Sequence, residues 1–285
     1  MRRRILVIAA LVAAAAGSVL GSATDKLALV TVVADRGAPA AGLTPADFTV
    51  TEEKDRLEVI EAVPARDPLS VVLLVDTALP SDGAAVTLEM RKALMSFVAT
   101  LLAGDPGAQI ALHKVSNAGL PVKDFTSNRA DLEAGINSIA SGTGPESAML
   151  EAIVDAAKKV GDRPAPRRAI VAIGIGTADG TIRQPKPVAD AVVKSGATLW
   201  VISVQGAGDA SLTNRDTVWT RATEDTGGLR QNIVHATRLD GRLQAVANSL
   251  LSQYFLKMAR KKDGALKGLK GQARGAPVLF TRWTR

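Results

Sequence analysis

The apolar positions of this chain fall into two rhythms. Between positions 27 and 65 the pattern is that of short strands. Leu27–Ala34 is rich in Leu and Val and runs into the turn-forming Asp35-Arg36-Gly37. Leu43–Asp47 carries Pro45, whose fixed φ suits a tight turn. Phe48–Glu53 and Leu57–Val63 then alternate apolar and polar residues, the period of a half-buried strand. About 40 residues of this kind are too few to make a stable unit alone, so the segment is expected to lean on another.

From Pro68 onward strands alternate with helices. Leu69–Val75 is a continuous apolar run rich in Val, as expected of a strand buried on both faces. Further strands are predicted at Gln109–Val115, Leu120–Phe125, Arg168–Ile173, Thr198–Val204 and Ile233–Val234. Helices are predicted at Ala84–Leu102, Asp131–Ile139, Ala148–Val160, Pro187–Lys194, Thr213–Glu224 and Leu239–Gln253. Gly227-Gly228 supplies a stop after the fifth of these helices. This alternation predicts an α/β fold, a three-layer αβα domain whose doubly wound, mostly parallel sheet has helices on both faces.

The first residues carry an address. Arg2-Arg3-Arg4 precedes the apolar run Ile5–Ala16, and small residues follow up to Ala23. Charged start, apolar middle and small-residue end are the parts of a secretory signal peptide, with cleavage after Ala23 and export to the periplasm or beyond as the consequence. The alternative is an uncleaved membrane anchor, since Ile5–Ala23 is just long enough to span a bilayer. Contact with a membrane is expected only in that case.

Composition narrows the chemistry. Across 285 residues there is no Cys and there are two His, which excludes thiol nucleophiles, disulfides, thiolate zinc sites and a His-rich metal centre. Aromatic residues make up only 3% of the chain, too few for the stacking platforms of single-stranded nucleic-acid binders, and no nucleic-acid partner is expected. Without the three leading arginines the chain carries 32 basic and 28 acidic residues. Nine of the basic residues and one acid lie between Lys257 and Arg285, so the basicity is a C-terminal stripe on a mildly acidic body. We read the stripe as a solvated strand pair rather than a phosphate-binding patch.

Several weak motifs, in order, point to one family. Leu69–Thr77 (LSVVLLVDT) resembles the first strand of a von Willebrand factor type A domain. Arg221–Gly228 (RATEDTGG) resembles the helix end before that family's last strand. Val30–Val50 is similar to the β segment that precedes the domain in bacterial exported proteins of this type, and Ser252–Leu256 resembles the segment that closes them. The resemblance implies a signal peptide over 1–23, an N-terminal β segment over 24–66, the α/β domain over 67–253 and a basic C-terminal strand pair over 254–285. The two end segments would pack together as a small β subdomain.

The same resemblance implies a metal-ion-dependent adhesion site at the carboxyl ends of the strands. The family builds it from Asp-x-Ser-x-Ser, a Thr from a later loop and a second Asp. Asp76 matches, but Ala78 and Pro80 stand at the two Ser positions, Ser147 at the Thr, and the second Asp falls at or beside Ile175. One carboxylate and one hydroxyl hold Mg²⁺ poorly against its own hydration shell, so no cofactor is expected. Asp76 is then read as capping the loop that follows its strand. The alternative keeps Mg²⁺ through a displaced set drawn from Thr77, Ser81, Asp82 or Asp179.

No catalytic set stands out. Gly174-x-Gly176 with Gly180 has the wrong spacing for dinucleotide binding, and no Walker lysine follows Gly142–Gly144. His113 and His235 are read as satisfied histidines within strands, and no Ser has a Gly-x-Ser-x-Gly setting. Asp47 and Glu52-Glu53 are read as solvent-side positions, and Trp200 and Trp219 as core. The expected function is a non-enzymatic, exported protein-binding module of adhesion or scaffold type. Asp76, Thr77, Ser81, Asp82 and Ser147 form its candidate partner-binding face. A metal-dependent adhesion module is the alternative.

Overall fold

The computed structural model describes residues 24–34, 37–78, 84–140, 146–175, 178–181, 183–204, 213–260 and 266–284. The chain opens with β1 (Thr24–Val32), β2 (Phe48–Glu52) and β3 (Asp55–Pro64). It continues through β4 (Leu69–Asp76), α1 (Ala84–Gly104), β5 (Gln109–Val115), β6 (Gly119–Thr126) and α2 (Arg129–Asn137). Next come β7 (Glu146–Ser147), α3 (Met149–Gly161), β8 (Arg167–Ile175), β9 (Ala178–Asp179), α4 (Pro185–Ser195) and β10 (Thr198–Val204). It ends with α5 (Thr213–Thr226), β11 (Arg230–Ile233), α6 (Leu239–Leu251), β12 (Gln253–Arg260), β13 (Leu269–Ala273) and β14 (Ala276–Thr284).

The central sheet has the order β11-β10-β8-β4-β5-β6. All neighbours are parallel except β5 and β6, which turn back on each other through the short bend at Ser116–Ala118. Every residue of β4 and β10 is buried, which is why both read as largely apolar runs. Alternate residues of β4 serve opposite faces. Leu69, Val71, Leu73 and Val75 pack with α1, α2 and α6, while Val72 and Leu74 pack with α3, α4 and α5. In α1 the inward positions Met90, Ala93, Leu94, Phe97, Val98 and Leu101 follow the helical period.

The end segments differ from the expected small subdomain and strand pair. Together they close a six-stranded antiparallel barrel, β1-β12-β3-β2-β13-β14, with β14 returning to β1. Three strands come from each end of the chain. Closure leaves no open edge and gives this part its own core, including Val30, Phe48, Val50, Tyr254, Leu256 and Met258. Phe48 and Tyr254 meet edge to face with centroids 5.7 Å apart.

Charge helps to hold the two ends together. Arg260 donates Nε and Nη2 to the two carboxylate oxygens of Glu52, each at 2.7 Å, and both side chains are buried. Glu52 is thus turned inward, not to solvent as its alternating segment suggested. Its facing partner lies 208 residues away, beyond the reach of local pattern. Arg274 pairs with Asp47 at 2.8 Å, and its hydrogen bond holds that carboxyl well below the usual carboxylate range. Lys257 pairs with Asp25 at 2.8 Å. Three residues of the basic stripe thus meet acids of the N-terminal segment.

Barrel and domain join through Arg167 at the start of β8. Its buried guanidinium donates to Gln253 Oε1 (2.8 Å), the Leu250 carbonyl (2.8 Å), the Asp67 carbonyl (3.0 Å) and Asp105 Oδ2 (3.1 Å). Asp67 lies where the chain leaves the barrel, and Leu250 to Gln253 where it returns, so one side chain holds both crossings.

Candidate functional site

The carboxyl ends of the parallel strands gather the candidate residues. β4 ends at Asp76 and carries its side chain into a fully buried position. Oδ1 accepts the Ala78 N–H at 3.0 Å, closing the turn that follows the strand, and Oδ2 accepts the Ile175 N–H at 3.1 Å from the end of β8. Burial pushes the Asp76 carboxyl up to about 6. The two backbone donors, and then the charge of Arg215, work against that rise. The Ser147 hydroxyl is the smallest of these influences. Its Oγ is buried and completes no full hydrogen bond.

Thr77 continues along the edge of β5. Its N–H and its hydroxyl both donate to the Val115 carbonyl, at 2.7 and 2.9 Å. Ser147 sits in β7, which pairs in parallel with β9, so that Ser147 lies opposite Asp179. The Asp179 carboxylate is occupied in shaping this corner. Oδ2 accepts the Leu150 N–H at the start of α3, and Oδ1 accepts both the N–H and the hydroxyl of Thr181. Ser81 and Asp82 lie outside the described residues. The strand ends thus bring Asp76, Thr77, Ser147 and Ile175 together, with Asp179 beside Ser147. Among the described residues, no group of three or more His, Asp or Glu side chains is positioned to hold a metal ion.

Sequence reasoning missed Arg215. It lies in the first turns of α5, is 1% exposed, and donates Nη1 to the Ile175 carbonyl at 3.4 Å. Its guanidinium carbon stands 4.5 Å from the centre of the Trp219 ring. Trp219 in turn fills the space over Gly174, where an added Cβ would come within 2.3 Å of the ring. In a polar helix such as α5 an arginine reads as solvated. The available signal was its position four residues before a tryptophan, one helical turn away.

The two histidines part company. His113 is buried in β5, and burial together with Lys159, whose Nζ lies 3.5 Å from Nε2, lowers its pKa. Lys159 also pairs with Asp124 at 3.0 Å. His235 is exposed beyond β11 and not within a strand, because that strand ends at Ile233 and the chain bends toward the short 3-10 turn Ala236–Arg238. Trp200 and Trp219 are both buried in the core. The Trp283 side chain lies outside the described residues.

The chain matches no family model and no curated protein. Solved structures do resemble it. A von Willebrand factor type A protein from Catenulispora acidiphila is similar over 93% of this chain and 74% of its own, at 11% identity and a TM-score of 0.53. Proximal thread matrix protein 1 from the mussel byssus, in a form with a zinc-occupied metal-ion-dependent adhesion motif, matches over 70% of this chain at 16% identity and a TM-score of 0.54. The PilB minor pilin from Streptococcus sanguinis matches over 67% at 9% identity and the same TM-score. This chain spans 50% of the mussel protein and 63% of the pilin. At such identities the likeness is one of fold.

Proposed function

With the von Willebrand factor type A fold as its frame, we propose that this chain is an exported, non-enzymatic module of adhesion or scaffold type that docks a protein partner without a metal ion. The observation that carries the reading is the state of Asp76. Each of its oxygens accepts a backbone N–H, the side chain is fully buried, and the nearby charge is that of an arginine. Mg²⁺ asks for several hard oxygen ligands in near-octahedral array. The described residues at the strand ends do not fit that demand. Ala78 has no ligand atom in its side chain, Ile175 stands at or beside the second carboxylate position, and a guanidinium repels a divalent ion. Asp179, the described carboxylate of the displaced set, caps α3 instead.

Export rests on the charged, apolar and small-residue succession over 1–23. Among the described residues no helix is long and apolar enough to cross a membrane. An adhesion or scaffold role takes further support from the fold's appearance in a pilin and in a thread matrix protein. The reading assigns no nucleic-acid partner and no catalysis. A fold alone does not fix a function, so the proposal is tied to the strand-end face.

The test is capture of envelope or secreted proteins on the immobilised chain, with and without EDTA. Positive charge is introduced beside the face at exposed Asn117 and Glu146. The reading expects retention that EDTA leaves unchanged and that Asn117→Arg with Glu146→Arg reduces. Retention lost in EDTA and restored by Mg²⁺ would favour the displaced metal set.

A further inference from the structure

We propose that Arg215 is the resident cation of the strand-end site, a guanidinium built into α5 that balances the Asp76 carboxylate. The inference deepens the metal-free reading and rests on it.

Two buried charges frame the ends of β4 and β8. Arg215 is 1% exposed and Asp76 is fully buried. Taking either charge out of water alone is costly, and a pair that answers each other reduces that cost. The backbone of Ile175 connects them. Its N–H donates to Asp76 Oδ2 at 3.1 Å, and its carbonyl accepts from Arg215 Nη1 at 3.4 Å. Donor faces the anion and acceptor faces the cation, so the residue in between is polarised by both. Asp76 feels Arg215 directly as well, since that charge favours its ionised form against burial.

The guanidinium is held from behind. Trp219 presents its ring face to Arg215 at 4.5 Å, and Gly174 leaves the room that the ring needs. A second arginine, Arg230, approaches the same ring at 5.6 Å, but its charge is matched elsewhere, by Asp216 at 2.7 Å. Arg215 is therefore the arginine of this pair that serves the strand ends. Gly174, Ile175, Arg215 and Trp219 form one arrangement around Asp76. Substituting any of them disturbs the same charge balance.

The experiment is a double-mutant cycle in the whole protein, read by urea unfolding near pH 7.5 in EDTA. It uses Asp76→Asn, Arg215→Met and the two combined. Arg215→Met keeps an unbranched apolar chain over Trp219 and removes only the charge and its donors. The proposal expects the double variant to be less destabilised than the sum of the singles, by about tenfold or more in the unfolding constant. Additive losses would overturn it and assign Arg215 a packing role alone. Should Arg215→Met fail to fold, the proposal requires Asp76→Asn to restore folding in the combined variant. Arg215→Lys gives an independent reading. It is expected to be more stable than Arg215→Met with Asp76 present, and to lose that advantage when combined with Asp76→Asn. An equal advantage in both backgrounds would count against the pairing. The unmodified protein is also unfolded with Mg²⁺ in the same series. Indifference there keeps the metal-free reading standing even if the cycle is additive.

Discussion

Gly227 lies directly beneath Phe280. A Cβ on Gly227 would stand 2.3 Å from the Phe280 carbonyl oxygen, and the glycine holds φ at +71°. It ends α5 in a left-handed cap, and the Gly228 N–H closes the motif on the Thr223 carbonyl at 3.0 Å. The helix stop is thus also the seat of β14, joining the α/β domain to the barrel.

Gly227→Ala is expected to destabilise the protein by roughly 2–4 kcal/mol. It combines a strained backbone conformation with a clash against main chain that cannot rotate away. Exposed Gly241 has open space around its Cβ position and serves as control, where Ala should be neutral or stabilising within a helix. Denaturant midpoints for the two variants check this. Equal effects would contradict the account.

Much of the α/β domain was legible because burial on both faces leaves its mark locally. Leu69–Val75 and Thr198–Val204 contain hardly any polar residue, and α1 and α3 keep the helical period. The barrel was legible only as strands. The pairings that close it across the two ends of the chain join distant residues, such as Thr24 with Arg260, and alternation names a face without naming a partner. Glu52 was misread for that reason. At the site, Asp76 was visible as a strand-end carboxylate, and its role in capping a turn matches the reading made from sequence. Arg215 was invisible because α5 is polar on average, and only the fold turns that arginine inward.

Arg167 is expected to tolerate no conservative change. Its fork serves four acceptors at once, and lysine offers a single point charge. Arg167→Lys should cost about 2–4 kcal/mol and loosen the barrel against the domain. Amide exchange would then rise first at Asp67–Leu69 and Leu250–Gln253. Uniform loss across the chain would speak against a junction role.

Asp76 gives the stability a defined pH dependence. Its folded pKa of about 6 lies above its ordinary 3.8, so the folded protein binds more protons between those values. The neutral acid therefore contributes stability that is fully present below about pH 4 and lost as pH rises through 6, amounting to about 3 kcal/mol. Arg215 is the charged group that limits this loss. Asn cannot titrate, so the stability of the unmodified protein relative to Asp76→Asn should fall by that amount between pH 4 and 7. Urea unfolding across the range measures it, and parallel profiles would contradict it.

The proposed export predicts a mature N-terminus at Thr24. β1 begins there and already pairs with β12, so cleavage after Ala23 leaves the barrel whole. Mass spectrometry of the protein recovered from the envelope or medium would read it directly. An intact leader would instead support a membrane anchor.

Thermal unfolding of the purified protein in EDTA, Mg²⁺ and Mn²⁺ tests the metal-free strand-end site most directly. Anything that binds only the folded state must raise its midpoint. A strand-end site balanced by Arg215 predicts the same melting temperature in all three, for the unmodified protein and for Asp76→Ala alike. A rise of several degrees with millimolar metal, abolished by Asp76→Ala, would contradict it and return the site to metal-dependent adhesion.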